Sequence, residues 1–122
     1  MVLADTSICI DHFRRRHLRL AQFLERGEVA MHPFIVGELL LGHVSGMAQM
    51  IDDLNALPKA AVASVDEVLK FISVRNLPGS GIGYVDAHLL AAAALTPETS
   101  LWTRDKRLLA AAQSLSLAAD IP

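Results

Sequence analysis

Short apolar runs that stop on a helix-starting residue recur along this chain, and that alternation most narrows what it can fold into. Met1–Ala4 is apolar and runs into Asp5-Thr6-Ser7, whose side chains accept hydrogen bonds from the free N–H groups of a helix's first turn. The reading is a strand followed by a helix over about Ser7–Arg14. A second helix covers about His17–Arg26, with Leu18, Leu20, Ala21 and Leu24 spaced as one inward face and Gly27 ending it. Val29–Met31 is the next strand, and Pro33 suits the first turn of a helix running to about Val44. Met47, Met50, Ile51, Leu54 and Leu57 share one face of a helix over about Gly46–Leu57, which Pro58 stops. Ala60–Ala63 is a weak third strand. Ser64, with Glu67 at the third position after it, has the form of a capping box opening a helix to near Asn76. After the loop Leu77–Gly83 come a helix over about Tyr84–Leu95 and a fourth strand over Ser100–Thr103. A helix opened by Asp105 and a short edge strand at Leu115–Leu117 complete the series.

Strands alternating with helices imply an α/β sandwich around a mostly parallel sheet of four to five strands. In open parallel sheets ligands bind beyond the carboxyl ends of the strands, where strand order reverses. Asp5 follows the first strand and Asp105 the fourth, so if those strands are neighbours the two carboxylates share a crevice. With 122 residues the chain has the length of a single domain, 1–122, and its 52% apolar residues suffice for one core. The most continuous apolar run, Leu89–Leu95, is bounded by His88 and Thr96 and is too short to span a bilayer. Asp5 and Asp11 interrupt the N-terminus before an apolar signal-peptide core could form, so a soluble cytoplasmic protein with no membrane partner is expected.

Cys9 is the only cysteine, which excludes an internal disulfide and a cysteine-based zinc site. It sits in an apolar stretch and reads as a small buried side chain. The formal net charge of −2 offers no bulk attraction to nucleic acid, so binding to a polyanion has to come from local basic patches or from bound metal.

Glu38 lies within Phe34-Ile35-Val36-Gly37-Glu38-Leu39-Leu40-Leu41 with no Lys or Arg in helical reach. A charge amid apolar surface is costly unless it is paired, and a bound cation would pair it. The plain alternative is that Glu38 faces solvent along a polar stripe with His43. Asp86 falls in the first turn of its helix, where the helix dipole favours a carboxylate in any case. Asp5 and Asp105 have the same alternative as helix-start residues. The case for chemistry therefore rests on all of Asp5, Glu38, Asp86 and Asp105 in this α/β order.

Two basic groups stand out: Arg14-Arg15-Arg16 with His17 and Arg19, and Arg104, Lys106 and Arg107 flanking Asp105. Either can contact RNA phosphates or be a solvated face. The glycine-rich stretch Pro78–Gly83 lacks the Gly-Lys-Ser/Thr ending of a P-loop and reads as a flexible lead into the Asp86 helix. The five histidines show no metal-ligand spacing. The Met47–Leu57 face reads as packing, or otherwise as a surface for a second copy or a partner helix.

Taken together, these segments resemble the PIN-domain family and, within it, the VapC-type toxins of toxin–antitoxin pairs. Val2-Leu3-Ala4-Asp5-Thr6-Ser7 resembles the family's first strand with its Asp, and Val36-Gly37-Glu38-Leu39 the helix with its Glu. Tyr84-Val85-Asp86-Ala87-His88-Leu89-Leu90-Ala91-Ala92-Ala93 resembles its Asp-x-x-Ile/Leu-Ala-Ala segment. Leu101-Trp102-Thr103-Arg104-Asp105-Lys106-Arg107-Leu108 resembles its late Thr-x-Asp-x-x-Leu element. The resemblance implies a three-layer α/β/α sandwich and a nuclease whose acids bind Mg²⁺ or Mn²⁺. Asp5 and Asp86 would then be the most direct metal ligands. Glu38 and Asp105 would complete the pocket, and Thr103 with Thr6 or Ser7 would orient them. It further implies an RNA substrate such as tRNA or another structured RNA, a cognate antitoxin that blocks the pocket, and a homodimer.

Three rivals remain. One is a PIN nuclease of RNA processing. Another is a phosphotransfer protein: a phosphatase using Asp5 as nucleophile wants a second Asp two residues on, where Ser7 stands, and a receiver domain wants an acidic pair after strand one and an Asp after strand three, neither of which is evident. The last is a catalytically silent binding module, which the presence of all four acids argues against.

Overall fold

The computed structural model describes residues 1–42 and 46–121, with Met47 described in its backbone alone. His43, expected beside Glu38, and Val44, expected to end the third helix, lie outside the described residues. The elements are β1 (Val2–Ala4), α1 (Thr6–Arg14), α2 (Leu18–Glu25), β2 (Val29–Ala30), α3 (Pro33–Leu41), α4 (Met47–Asn55), α5 (Val65–Val74), α6 (Tyr84–Leu95), β3 (Ser100–Trp102) and α7 (Lys106–Ser114).

The sheet is parallel, with β1 in the middle and the order β2-β1-β3. Leu3 pairs with Ala30 on one side and Leu101 on the other. The chain leaves β1 for β2 and later returns to β1's opposite edge as β3. Strand order therefore reverses between β1 and β3, where Asp5 and Asp105 emerge. Helices flank this sheet, α1 against β1 and α6 against β3. The core gathers Leu3, Ile8, Ile35, Leu39, Leu90, Leu101 and Leu108, all essentially inaccessible. Among the described residues no helix is long and apolar enough to cross a membrane.

Among the described residues the sheet has three strands rather than four or five, and its edges show why. The strand expected at Ala60–Ala63 shrinks to one bridge, Met31 with Lys59. The next residue of that edge in register, Pro33, has no N–H to give and already opens α3, while Ala61 N–H, on the opposite side, donates to Thr96 Oγ1 at 2.9 Å. The strand expected at Leu115–Leu117 is likewise a single bridge, Leu101 with Ala118. Ser116 just before it has φ +58, in the left-handed region that no strand uses.

Leu18, expected to face inward, is 68% exposed, while Leu20 and Ala21 are buried. His17 caps α2, and Leu18 is its first residue, ahead of the turn that meets the core. The capping box is present: Glu67 N–H donates to Ser64 Oγ at 3.1 Å, and Ser64 N–H to Glu67 Oε1 at 2.8 Å. Ser64→Ala should cost about 1 kcal/mol, read as a lower urea midpoint with an unchanged slope.

Candidate active site

Asp5 is the deepest of the acids, 5% exposed at the carboxyl end of β1. Its backbone N–H donates to Trp102 O at 3.0 Å, which ties the ends of β1 and β3 together. Its side chain caps α1, accepting from Ile8 N–H at 3.2 Å. Ser7 Oγ donates to Oδ1 at 2.5 Å, and buried Thr103 Oγ1 donates to Oδ2. Each of these hydroxyls also accepts a backbone N–H, Ser7 from Arg104 at 3.1 Å and Thr103 from Asp105 at 3.0 Å. A hydroxyl has one proton to give, so both are turned toward Asp5 as donors, an arrangement that suits an ionised, acceptor-only carboxylate. Burial nevertheless raises the Asp5 pKa above its ordinary 3.8, with the Ser7 and Thr103 bonds pulling the other way.

Asp86 occupies the first turn of α6, half-buried, and accepts from Gly83 N–H at 3.4 Å. Its carboxyl is pushed upward first by burial, and then by the negative charges of Asp105, Asp5 and Glu38. Asp86 thus feels the charges of the other three acids. Asp105 is exposed and caps α7, accepting from Leu108 N–H at 2.9 Å. Asp5, Asp86 and Asp105 all stand at helix starts, as the plain alternative expects.

Glu38 is exposed, not embedded, and accepts from Thr6 Oγ1 at 2.8 Å. Its apolar neighbours Leu40 and Leu41 are exposed as well, Leu41 by 88%. Only Ile35 and Leu39 of α3 are buried, so Glu38 stands on a rim and carries no desolvation cost that a cation must relieve. Thr6 and Ser7 both serve, one orienting Glu38 and the other Asp5.

Arg104 does not turn to the crevice: its guanidinium bonds Asp11 of α1. Asp11 had no sequence signal, because the contact spans 93 residues. Lys106 is exposed at the start of α7. Arg107 lies along the glycine-rich loop, its Cδ 3.0 Å from where a Cβ on Gly81 would stand. His32 and His88, given no role from sequence, are buried, each with one ring nitrogen unpartnered among the described groups, and burial lowers His32 to about 4. Cys9 is buried, its thiol pushed up to about 12 by burial and then by Asp5's charge, so it is no nucleophile at neutral pH.

Among the described residues no three His, Cys, Asp or Glu side chains converge closely enough to hold one ion as they stand. The donor chemistry still suits a hard divalent cation. The candidate residues offer carboxylates and hydroxyls, and Asp86, raised first by burial and then by the charges of Asp105, Asp5 and Glu38, is a carboxyl that a cation would hold ionised.

A profile of the PIN-domain family matches residues 2–113. Ribonuclease VapC32 of Mycobacterium tuberculosis, in the CDC 1551 / Oshkosh and ATCC 25618 / H37Rv strains, is 43% identical over 111 residues, covering 91% of this chain and 90% of that protein. The crystal structure of PAE2754 from Pyrobaculum aerophilum matches with a TM-score of 0.59 at 21% identity, covering 90% of this chain and 78% of that one. That last likeness concerns the fold.

Proposed function

Because this chain belongs to the PIN-domain family, we propose that it is a metal-dependent endoribonuclease, the toxin of a VapBC-type pair acting in the cytoplasm. The observation that carries this reading is the crevice where strand order reverses. There Asp5 is held by directed hydroxyls, and the Asp86 carboxyl is raised first by burial and then by the charges of Asp105, Asp5 and Glu38. The relative named as a ribonuclease supports it over nearly the whole chain.

In this reading Asp5 and Asp86 supply the principal oxygens for Mg²⁺ or Mn²⁺, with Glu38 and Asp105 completing the set. When bound, the cation offsets the crevice's negative charge and lends Lewis acidity toward the phosphodiester. The chain's own part is orientation. Ser7 and Thr103 favour the ionised form of Asp5 against its burial and fix its angle, and Thr6 steadies Glu38 at the rim. Lys106 and Arg107 stand where they can meet substrate phosphates beside Asp105. A water adds to phosphorus, the P–O3′ bond breaks, and one proton of the water ends on the departing 3′ oxygen, leaving a 5′-phosphate and a 3′-hydroxyl. A structured RNA such as tRNA is the substrate, a homodimer the working form, and an antitoxin segment that enters the crevice the inhibitor.

The test is cleavage of tRNA by the purified full-length chain, with Mg²⁺ or Mn²⁺ and with EDTA. Cleavage with either ion, abolished by EDTA and restored by added metal, is expected. Activity unaffected by chelation would remove the metal from the reading. No cleavage of structured RNAs by protein free of antitoxin would favour a silent binding module.

A further inference from the structure

Where α1 gives way to α2, a cleft of about 600 Å³ opens, lined by Arg14, Arg15, Arg16, Arg19, Arg104 and Asp11. Five of the chain's eleven Lys and Arg residues therefore border one concavity in a protein whose net charge is −2. Stability does not explain the grouping, because like charges drawn together oppose folding. Arg16 reaches Glu25 at 3.7 Å and Arg104 is held by Asp11. Arg14, Arg15 and Arg19 form no ion pair among the described residues, and all three are exposed.

This cleft shares a wall with the carboxylate crevice. Arg104 N–H donates to Ser7 Oγ, and Ser7 Oγ donates to Asp5. The backbone of Arg104 therefore borders the acids while its guanidinium lies in the cleft. We propose that the cleft is the track for the RNA backbone next to the scissile bond, holding phosphates through Arg14, Arg15 and Arg19. Asp11 is the brake on it, competing with phosphate for Arg104. The proposal rests on the nuclease reading and deepens it by naming where the rest of the strand lies.

A strand crossing a pocket of four acids is repelled there, so its neighbouring phosphates need a cationic seat close by, and this cleft is beside that pocket. Guanidinium forks match phosphate oxygens in pairs and read no base, so the track is indifferent to sequence. The space is that of an ordinary small-ligand site, enough for a stretch of backbone and open enough for it to continue.

The test measures binding of a fluorescein-labelled single-stranded RNA, and of a scrambled RNA of equal length, in EDTA across a salt series. Wild type, the triple variant Arg14→Gln/Arg15→Gln/Arg19→Gln, and Asp11→Asn are compared as full chains. Each single-strand phosphate contact contributes about 0.7 to the log–log salt slope, so losing three flattens it by about 2. Between 50 and 200 mM salt, wild-type affinity then falls by about 20-fold more than the variant's. Both RNAs are expected to respond alike, with KM for cleavage raised and kcat retained. Asp11→Asn is expected to tighten binding, and that opposite sign decides the matter if the triple variant does not fold.

An unchanged salt slope in a folded triple variant, or unchanged binding in Asp11→Asn, overturns the proposal. Wild type that binds polyglutamate but not RNA overturns it in favour of an acidic protein partner. Wild type that binds RNA as described yet never cleaves with Mg²⁺ or Mn²⁺ leaves the cleft standing and removes the nuclease reading.

Discussion

Asp86→Asn is expected to lower metal-dependent RNA cleavage by more than about 100-fold, while the metal-free protein stays at least nearly as stable as wild type at neutral pH. The first half follows from the proposed role: an amide offers a cation one neutral oxygen in place of a carboxylate. The second half follows from the sign of the pKa shift. Burial and then the charges of Asp105, Asp5 and Glu38 raise this carboxyl above its ordinary 3.8. The folded chain thus holds the proton more tightly than the unfolded chain does, and ionised Asp86 subtracts from stability above its raised pKa. As pH falls through that pKa the subtraction fades, and below 3.8 it is gone.

The amide removes this subtraction at neutral pH. It gives up about 0.3–1 kcal/mol of favourable interaction with the α6 dipole and keeps an oxygen for Gly83 N–H. Thermal melts in EDTA should therefore show the variant near or above wild type at neutral pH, with its relative advantage closing in acid. A variant melting many degrees lower with its cleavage rate intact would mean that Asp86 is a helix-start residue and nothing more.

Thr103→Val should reduce cleavage by about 10–100-fold and stability by about 1–3 kcal/mol. The shapes match, so the loss is that of the hydroxyl, which donates to Asp5 and accepts from Asp105 N–H at 3.0 Å. Without it a backbone N–H loses its acceptor. Asp5, already raised mainly by burial, also loses one of the bonds that pull it down. Its pKa climbs further, so more of it is protonated at a given pH, and the activity deficit should widen as pH falls. Thr103→Ser should restore both rate and pH profile. A Val variant that is less stable but keeps wild-type kcat and pH dependence would confine Thr103 to a structural role.

What could be read in advance followed the range of the interaction behind it. Asp5, Ser64 with Glu67, and Asp105 act on amides within three residues, so their helix starts were legible. The switch point was legible too, since the strand–helix alternation puts Asp5 after the first strand and Asp105 after the last, and β1 and β3 are neighbours. The sheet's edges were not, because whether Ala60–Ala63 pairs depends on register: the residue that would continue the ladder past Met31 is Pro33, which has no N–H. Glu38 misled for a related reason: its apolar neighbours in sequence suggested burial, yet α3 packs only the Ile35–Leu39 side inward. The Arg104–Asp11 pair, 93 residues apart, had no local trace at all.

Thr103 and Asp5 are separated by 98 residues, and the hydrogen bond between them has a consequence in time. At synthesis rates of about 5–20 residues per second, roughly 5–20 s pass between the appearance of one partner and that of the other. Throughout that interval β1 lacks β3 as its neighbour, and Asp5 lacks the hydroxyl that holds Oδ2. With Asp5 in the proposed role, a nascent chain emerging among the RNAs of the ribosome that makes it is unarmed by construction. In that role the site is complete only once β3 has docked, which is when the proposed antitoxin would first have a target.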